Sequence, residues 1–585
     1  MNTKQPVNRL SVITYLPFYL PVVFVFTIYF LTRTPAVGLI DSGELAAGCY
    51  LLNILHPTGY PLYTLIGRLF SLVPIGTIIT RLTILSALFS ACGLGIFILI
   101  CRQLRYNPLT SAAIATLVGL STPIWSVSTD VEVYSLTFLL SLLVWLVVIN
   151  FQHDNRLALF PYLIGLTLTN HLTGLWTVIG ACVTLLLIYR QRLFRIFPSL
   201  FFFFLLGLTP YLFLIIRARA GPLLAWGNPV NLERFWWHVT GRQYQVWMFS
   251  SSFNQVLANI GKGIILLLRS FGFVLLPVIV YGFLNLYKRQ RQIALGLTAT
   301  TIMSILYAAN YSIPDIDAYY GQAVIPLAVF AGAGINALFQ RFRRITYLVW
   351  LLPFVVIIFN YPLQNKSQHY IAYDQAVNTL QSADSNGIIV TEWWDIYAPV
   401  FYLQEIDKIR PDVCIIDKEL LRRSWYFKYL EKKYPWLVEN SLLEVHRFLT
   451  QLDRFEHNQP YDPVVIQESY IALLRSFIIN NPERPAYTTF PLEADNDSRQ
   501  LLTGFNLVPM GVLFQVRTDS FVPEFDYNRL RVRIPRWGMD ERSRFNLNRY
   551  QMFVRARIAL LKRLNRDSEA LAVENWYHQV FSNRL

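Results

Sequence analysis

The chain has 585 residues, 54% of them hydrophobic and 15% aromatic, with only 15% charged and a positive mean hydropathy. That balance excludes a disordered chain, a fibre and an ordinary soluble enzyme, and it marks an integral membrane protein. The net charge of +15 is confined to one part: residues 1–360 hold 23 Lys and Arg against 8 Asp and Glu, whereas residues 361–585 hold 28 against 28.

Two regions with different solvents follow, a membrane domain over 1–361 and a soluble domain over 362–585. The basic excess belongs to loops between apolar spans, which is a topological signal, so no nucleic-acid partner is expected despite the charge. Of five Cys only Cys414 lies in the second region, too few for a disulfide framework.

In chain order, eleven apolar runs reach the length needed to cross about 30 Å of hydrocarbon. They lie near 11–32, 78–101, 108–127, 132–151, 157–171, 174–190, 197–218, 268–287, 292–310, 319–340 and 345–361. The first has a long apolar core and no clean small-residue cleavage site, so it reads as a retained anchor. Basic clusters fall on alternate loops: Lys4 and Arg9, Arg102 and Arg105, Arg156, Arg190/Arg192/Arg195, Lys288/Arg289/Arg291 and Arg341/Arg343/Arg344. Those loops face the cytoplasm, and an odd number of crossings then places the soluble domain in the periplasm or an equivalent lumen. The expected location is a multi-pass inner membrane protein with its N-terminus inside.

Seven of the eight acids in the membrane region fall on outward loops: Asp41, Glu44, Asp130, Glu132, Asp315 and Asp317, with Glu233 as the seventh. Carboxylates gathered on one face of the bilayer point to a polar site there, or else to solvated loop acids. The first outward loop runs Gly38-Leu39-Ile40-Asp41-Ser42-Gly43-Glu44 and later Asn53-Ile54-Leu55-His56-Pro57-Thr58-Gly59-Tyr60-Pro61-Leu62-Tyr63. Asp41 and Glu44, three apart before a small-residue helical stretch, are spaced for a capping box. That pairing leaves unexplained the stiff turn that carries His56, two prolines and Tyr60, and the run beyond it containing Arg68.

These features resemble the signature of domain-of-unknown-function family 2723, within the GT-C superfamily of membrane glycosyltransferases. They are similar, more distantly, to protein O-mannosyltransferases and aminoarabinose transferases. The stretch Ile388-Ile389-Val390-Thr391-Glu392-Trp393-Trp394-Asp395, with Phe401-Tyr402-Leu403-Gln404-Glu405 and Arg410-Pro411-Asp412-Val413, resembles the family's soluble part. Where relatives carry a more polar Gly-Asp-Asn-Asp run, this chain has Glu392-Trp393-Trp394-Asp395.

The resemblance implies transfer of a hexose such as mannose from a polyprenyl phosphate to a protein, lipid or glycan acceptor outside the cytoplasm. An acceptor hydroxyl is a poor nucleophile until a carboxylate within about 3 Å takes its proton, and Asp41, with Glu44 beside it, is the candidate base. Negative charge grows on the departing phosphate, which calls for cations or donors. Arg217 and Arg219 at a span end, then Arg242, Arg68 and His171, are the candidates. His56, Tyr60, Asp130, Glu132, Asn170, Asp315 and Asp317 are expected to line the site or meet the acceptor. Asp130 and Glu132 would ligate a divalent metal ion if their loop curls; no other cofactor is expected. Trp226, Trp236, Trp237, Trp247 and Tyr244 in the outward loop 219–262 read mostly as interfacial anchors, one or two as sugar-stacking rings.

The soluble region alternates helical stretches with short β-prone runs at 387–391 and 412–417, the pattern of an α/β or α+β domain, and ends in a helical pair from Tyr550 on. No Gly-rich phosphate loop, zinc-protease motif or nucleophile elbow occurs. The fold class expected is thus a polytopic α-helical membrane protein with a C-terminal extracytoplasmic domain. Rival readings are a transporter or lipid flippase, opposed by the lack of mid-span acids, and a non-catalytic membrane assembly protein, for which Asp41 would be replaceable.

Overall fold

The computed structural model of the protein describes residues 10–150, 158–313, 316–342 and 348–581, with backbone alone for 10–18 and 190–197. Asp315, Asp154, Lys4, Arg9, Arg156, Arg343 and Arg344 lie outside the described residues. The chain forms two compact units. The first comprises Met1–Arg33, Pro57–Ile215 and Trp237–Ser367; the second comprises Thr34–His56, Ile216–Trp236 and Gln368–Leu585. The second unit therefore recruits two segments from between the apolar spans, one of them the first outward loop up to His56.

The first unit is helical, and helix fills the described part of each of the eleven apolar stretches, with breaks in some. Ile78–Gln103, Leu172–Tyr189, Arg291–Ala309 and Ile316–Arg341 are four helices each long and apolar enough to cross a membrane, and three bent pairs bring the number to seven. The protein is thus a multi-pass integral membrane protein, with bends in some of the spans. At one bend Pro108–Leu120 meets Thr122–Ser128 at 65°. The carbonyl of Leu120, freed by the break, accepts a hydrogen bond from Asn360 Nδ2 at 2.8 Å, which satisfies a backbone group that lipid would leave unpaired.

At another, Phe253–Ser270 and Phe273–Arg289 meet at 95°, around Gly272 at φ 64°. The sequence reading began this span at 268 and placed 253–262 in a loop. Asn254, Gln255, Lys262 and two glycines dilute the hydropathy of a helix whose apolar residues nevertheless recur at helical spacing. Small residues let other helices meet backbone to backbone: a Cβ on Gly165 would lie 2.6 Å from the carbonyl oxygen of Phe204, across the contact between Leu159–Asn170 and Leu175–Gly207.

The second unit is built on a five-stranded sheet of order β2-β1-β3-β5-β4. Strands β1 (Ile388–Thr391), β2 (Cys414–Asp417) and β3 (Ala486–Thr488) are parallel, and β4 (Asn506–Met510) and β5 (Leu513–Arg517) form an antiparallel hairpin at one edge. β1 and β2 are buried along their whole length, which is why both read as unbroken apolar runs. Between them runs the helix Trp394–Glu405, and the chain closes with the paired helices Glu541–Arg563 and Asp567–Phe581. The first of that pair starts nine residues before the sequence-based expectation at Tyr550, because Asp540 caps it by accepting the N–H of Ser543.

Candidate active site

The first-loop helix Ser42–Leu51 packs on Trp394–Glu405, so closely that a Cβ on Gly43 would lie 2.3 Å from the carbonyl oxygen of Ala398. Asp41 occupies the N-cap position, yet its side chain makes no capping bond and the capping box with Glu44 does not form. Both carboxylates are engaged elsewhere. Glu44 turns to His56, accepting its backbone N–H at 2.8 Å on Oε1 and lying 2.6 Å from Nδ1 with Oε2. Asp41 accepts the indole N–H of Trp394 on Oδ1 at 2.8 Å, and its Oδ2 lies 3.7 Å from His56 Nε2.

The three groups differ in access. The Glu44 side chain is 1% exposed and that of Asp41 24%, so only Asp41 is open to an incoming molecule. Burial pushes the Glu44 carboxyl above the usual range, and His56 opposes that rise. With Nδ1 directed at Glu44, the hydrogen-bond pattern assigns the ring proton to that nitrogen and turns Nε2 toward Asp41.

Asp41, Glu44 and His56 place ligand-type atoms within 4.8 Å of one another, the set among the described residues that has metal-site spacing. Both Glu44 oxygens are already bonded to His56, so as built the trio is a hydrogen-bonded relay more than an open ligand shell. Asp130 and Glu132 do not belong to such a set. Asp130 Oδ2 pairs with Lys366 Nζ at 3.1 Å, and Oδ1 accepts the N–H of Val131.

The candidate phosphate ligands divide between the two units. Arg217 spends Nε and Nη2 on the carbonyls of Leu52 and Leu51, at 2.6 and 3.2 Å, and so caps the C-terminal end of the first-loop helix. Arg219 in the same unit is exposed. In the first unit Arg242 lies over the Trp237 ring at 4.1 Å and Arg68 is half-buried on the helix Pro61–Ser71. His171 Nδ1 faces the N–H and hydroxyl of Thr173, and its ring stacks on Tyr60 at 5.5 Å among Tyr134 and Tyr319. Asn170 donates to Val133 O and Thr137 Oγ1, Tyr60 donates to Pro57 O, and Asp317 is exposed on a short 3-10 turn.

Two neighbours of Asp41 were not singled out from the sequence as site residues, Trp394 and Asp395. Asp395 accepts the N–H of Ile40 at 3.0 Å and is itself gripped by Arg542 through Nε and Nη2, each at 2.8 Å, and by Asn546 at 2.8 Å. Trp226, expected as an interfacial anchor or a sugar-stacking ring, is instead buried edge-on to Trp394 and against Trp425.

A family model described as the protein O-mannosyl-transferase TMEM260 N-terminal domain matches residues 41–194, and one described as TMEM260-associated domain 2 matches residues 372–435. The chain is O-mannosyltransferase-like in sequence. It is 26% identical over 466 residues to the protein O-mannosyl-transferase tmem260 of Dictyostelium discoideum and 24% identical over 443 residues to TMEM260 of Mus musculus, in each case over 68% of this chain. It spans 56% and 61% of the length of these relatives. Among solved structures, ArnT from Cupriavidus metallidurans in the apo state aligns with a TM-score of 0.48 at 13% identity, over 86% of this chain and 98% of that one. The apo oligosaccharyltransferase of Archaeoglobus fulgidus aligns with a TM-score of 0.43 at 11% identity, over 71% and 68%. The first matched region opens at Asp41 and contains Glu44 and His56, and the second contains Trp394 and Asp395.

Proposed function

We propose that this protein is a membrane glycosyltransferase that moves a hexose, mannose by its likeness to the O-mannosyltransferases, from a polyprenyl phosphate to a protein hydroxyl outside the cytoplasm. The observation that carries the reading is the Asp41 carboxylate, open to solvent on one side and held on the other by Trp394, with the Glu44–His56 pair behind it. In the proposed step the acceptor hydroxyl gives its proton to Asp41 as its oxygen bonds to the anomeric carbon. The bond from that carbon to the phosphate oxygen breaks, and the polyprenyl phosphate leaves with the electron pair. Arg219, exposed in the same unit as Asp41, is the residue we assign to the leaving phosphate.

Purified protein in lipid nanodiscs, given a radiolabelled polyprenyl-phosphate hexose and a Ser/Thr-rich peptide, is expected to label the peptide. Asp41→Asn keeps the size and the acceptor oxygen for Trp394 but cannot take a proton, so transfer should fall about 10²–10⁴-fold. Transfer at the unmodified rate in a folded Asp41→Asn protein refutes the assignment.

A further inference from the structure

Resting on that reading of Asp41, we infer that Trp394 and the Asp395–Arg542–Asn546 cluster are positioning residues: they fix the direction of the Asp41 carboxylate without themselves meeting donor or acceptor. Packing against Trp394–Glu405 already holds the first-loop helix, as the closeness of Gly43 to Ala398 attests. The polar contacts act one step earlier, on the two residues that lead into that helix. Ile40, β-branched, is held at φ 59°, a left-handed conformation that such a residue adopts only under constraint. Its N–H is held by Asp395, which is 4% exposed and carries donors from Arg542 and Asn546 on both oxygens.

Beside it the indole of Trp394 is fixed edge-on to Trp226 at 5.5 Å and stacked on Tyr397 at 5.7 Å, which aims its N–H at Asp41 Oδ1. An indole N–H donates and never accepts, and it carries no charge. It therefore anchors one carboxylate oxygen without forming an ion pair that would weaken the base, and it leaves Oδ2 as the oxygen that can receive a proton. A base rotated out of line loses rate without losing substrate affinity.

The test is a steady-state comparison in the nanodisc assay. Trp394→Phe keeps an aromatic ring and removes the donor; kcat should fall about 10-fold or more while KM for the lipid donor changes less than twofold. Arg542→Gln, which leaves Asp395 only half-held, should move the same parameter in the same direction. In the Asp41→Asn background Trp394→Phe should lower the residual rate no further, because the residue acts through Asp41. Unchanged kcat in folded Trp394→Phe, a rise in KM equal to the loss of kcat, or full additivity with Asp41→Asn overturns the inference. If Asp41→Asn is itself fully active, the base assignment fails first, and the two failures are distinguishable. Thermal melting of each full-length variant separates misfolding from mispositioning.

Discussion

At the scale of single residues, the division of labour among Asp41, Glu44 and His56 follows from who is buried and who is already bonded. A carboxylate as enclosed as Glu44 must be satisfied, and His56 satisfies both of its oxygens. What remains facing Asp41 is one ring nitrogen at 3.7 Å, too few donors for an ion that must displace its own water. Transfer activity is therefore expected to survive exhaustive EDTA treatment; loss of activity that added Mg²⁺ or Mn²⁺ restores would reassign the trio as ligands. The sequence led to these three because they share one short loop with unusual punctuation. It could not lead to Trp394, 353 residues from Asp41, or to Asp395, whose partners Ile40 and Arg542 lie 355 and 147 residues away. Contact across such separations leaves no trace in spacing, and the only signal was a departure from the more polar run that relatives carry there.

At the scale of elements, β1, β2 and most helices were legible because burial on both faces or in lipid imposes apolar runs, whereas β3, β4 and β5 were not read from the sequence. Legibility failed where polarity was mixed, at Phe253–Ser270, and where a break bends a span, since hydropathy averages over both. The strand ends of the second unit carry a cost of their own. Asp417 closes β2 and is fully enclosed; burial lifts its carboxyl to about 7, although the N–H groups of Glu419 and Leu420 at 2.8 and 2.9 Å pull the other way. A free Asp titrates near roughly 3.9, so between there and about 7 the folded chain binds more protons than the unfolded one, and stability falls as pH rises through that window. Asp417→Asn keeps the oxygen that accepts both N–H groups and removes the titration. Melting of the full chain in detergent from pH 4 to 8 should show a downward slope in the parent that is flattened in the variant, by on the order of 1–4 kcal/mol across the window. Parallel slopes would show that Asp417 is ionised in the fold throughout.

At the scale of the whole molecule, the composition of the second unit constrains how the chain is threaded. Thr34–His56, Ile216–Trp236 and Gln368–Leu585 build one compact body, joined by backbone bonds such as Ile54 N–H to Leu224 O at 3.0 Å and by the side-chain bond from Trp394 to Asp41. A body of this kind cannot be divided by a bilayer, since each severed polar contact would be left unpaired in hydrocarbon. An even number of crossings is therefore expected between His56 and Ile216, and again between Trp236 and Gln368. The apolar stretches read from the sequence satisfy this, with six in the first interval and four in the second when Phe253–Arg289 is counted as a single bent span. The basic loops are then expected on the opposite side from all three segments. In a cysteine-free background, Ala220→Cys and Ser385→Cys, both at exposed positions, should react with a membrane-impermeant maleimide from the outer face, and Arg289→Cys only after permeabilisation. Labelling of Ala220→Cys and Ser385→Cys from different sides would break the unit apart and with it the joint holding of Asp41 by Trp394 and Asp395. Labelling of both from the cytoplasm would keep the unit whole but place the base on the wrong face for a lumenal acceptor.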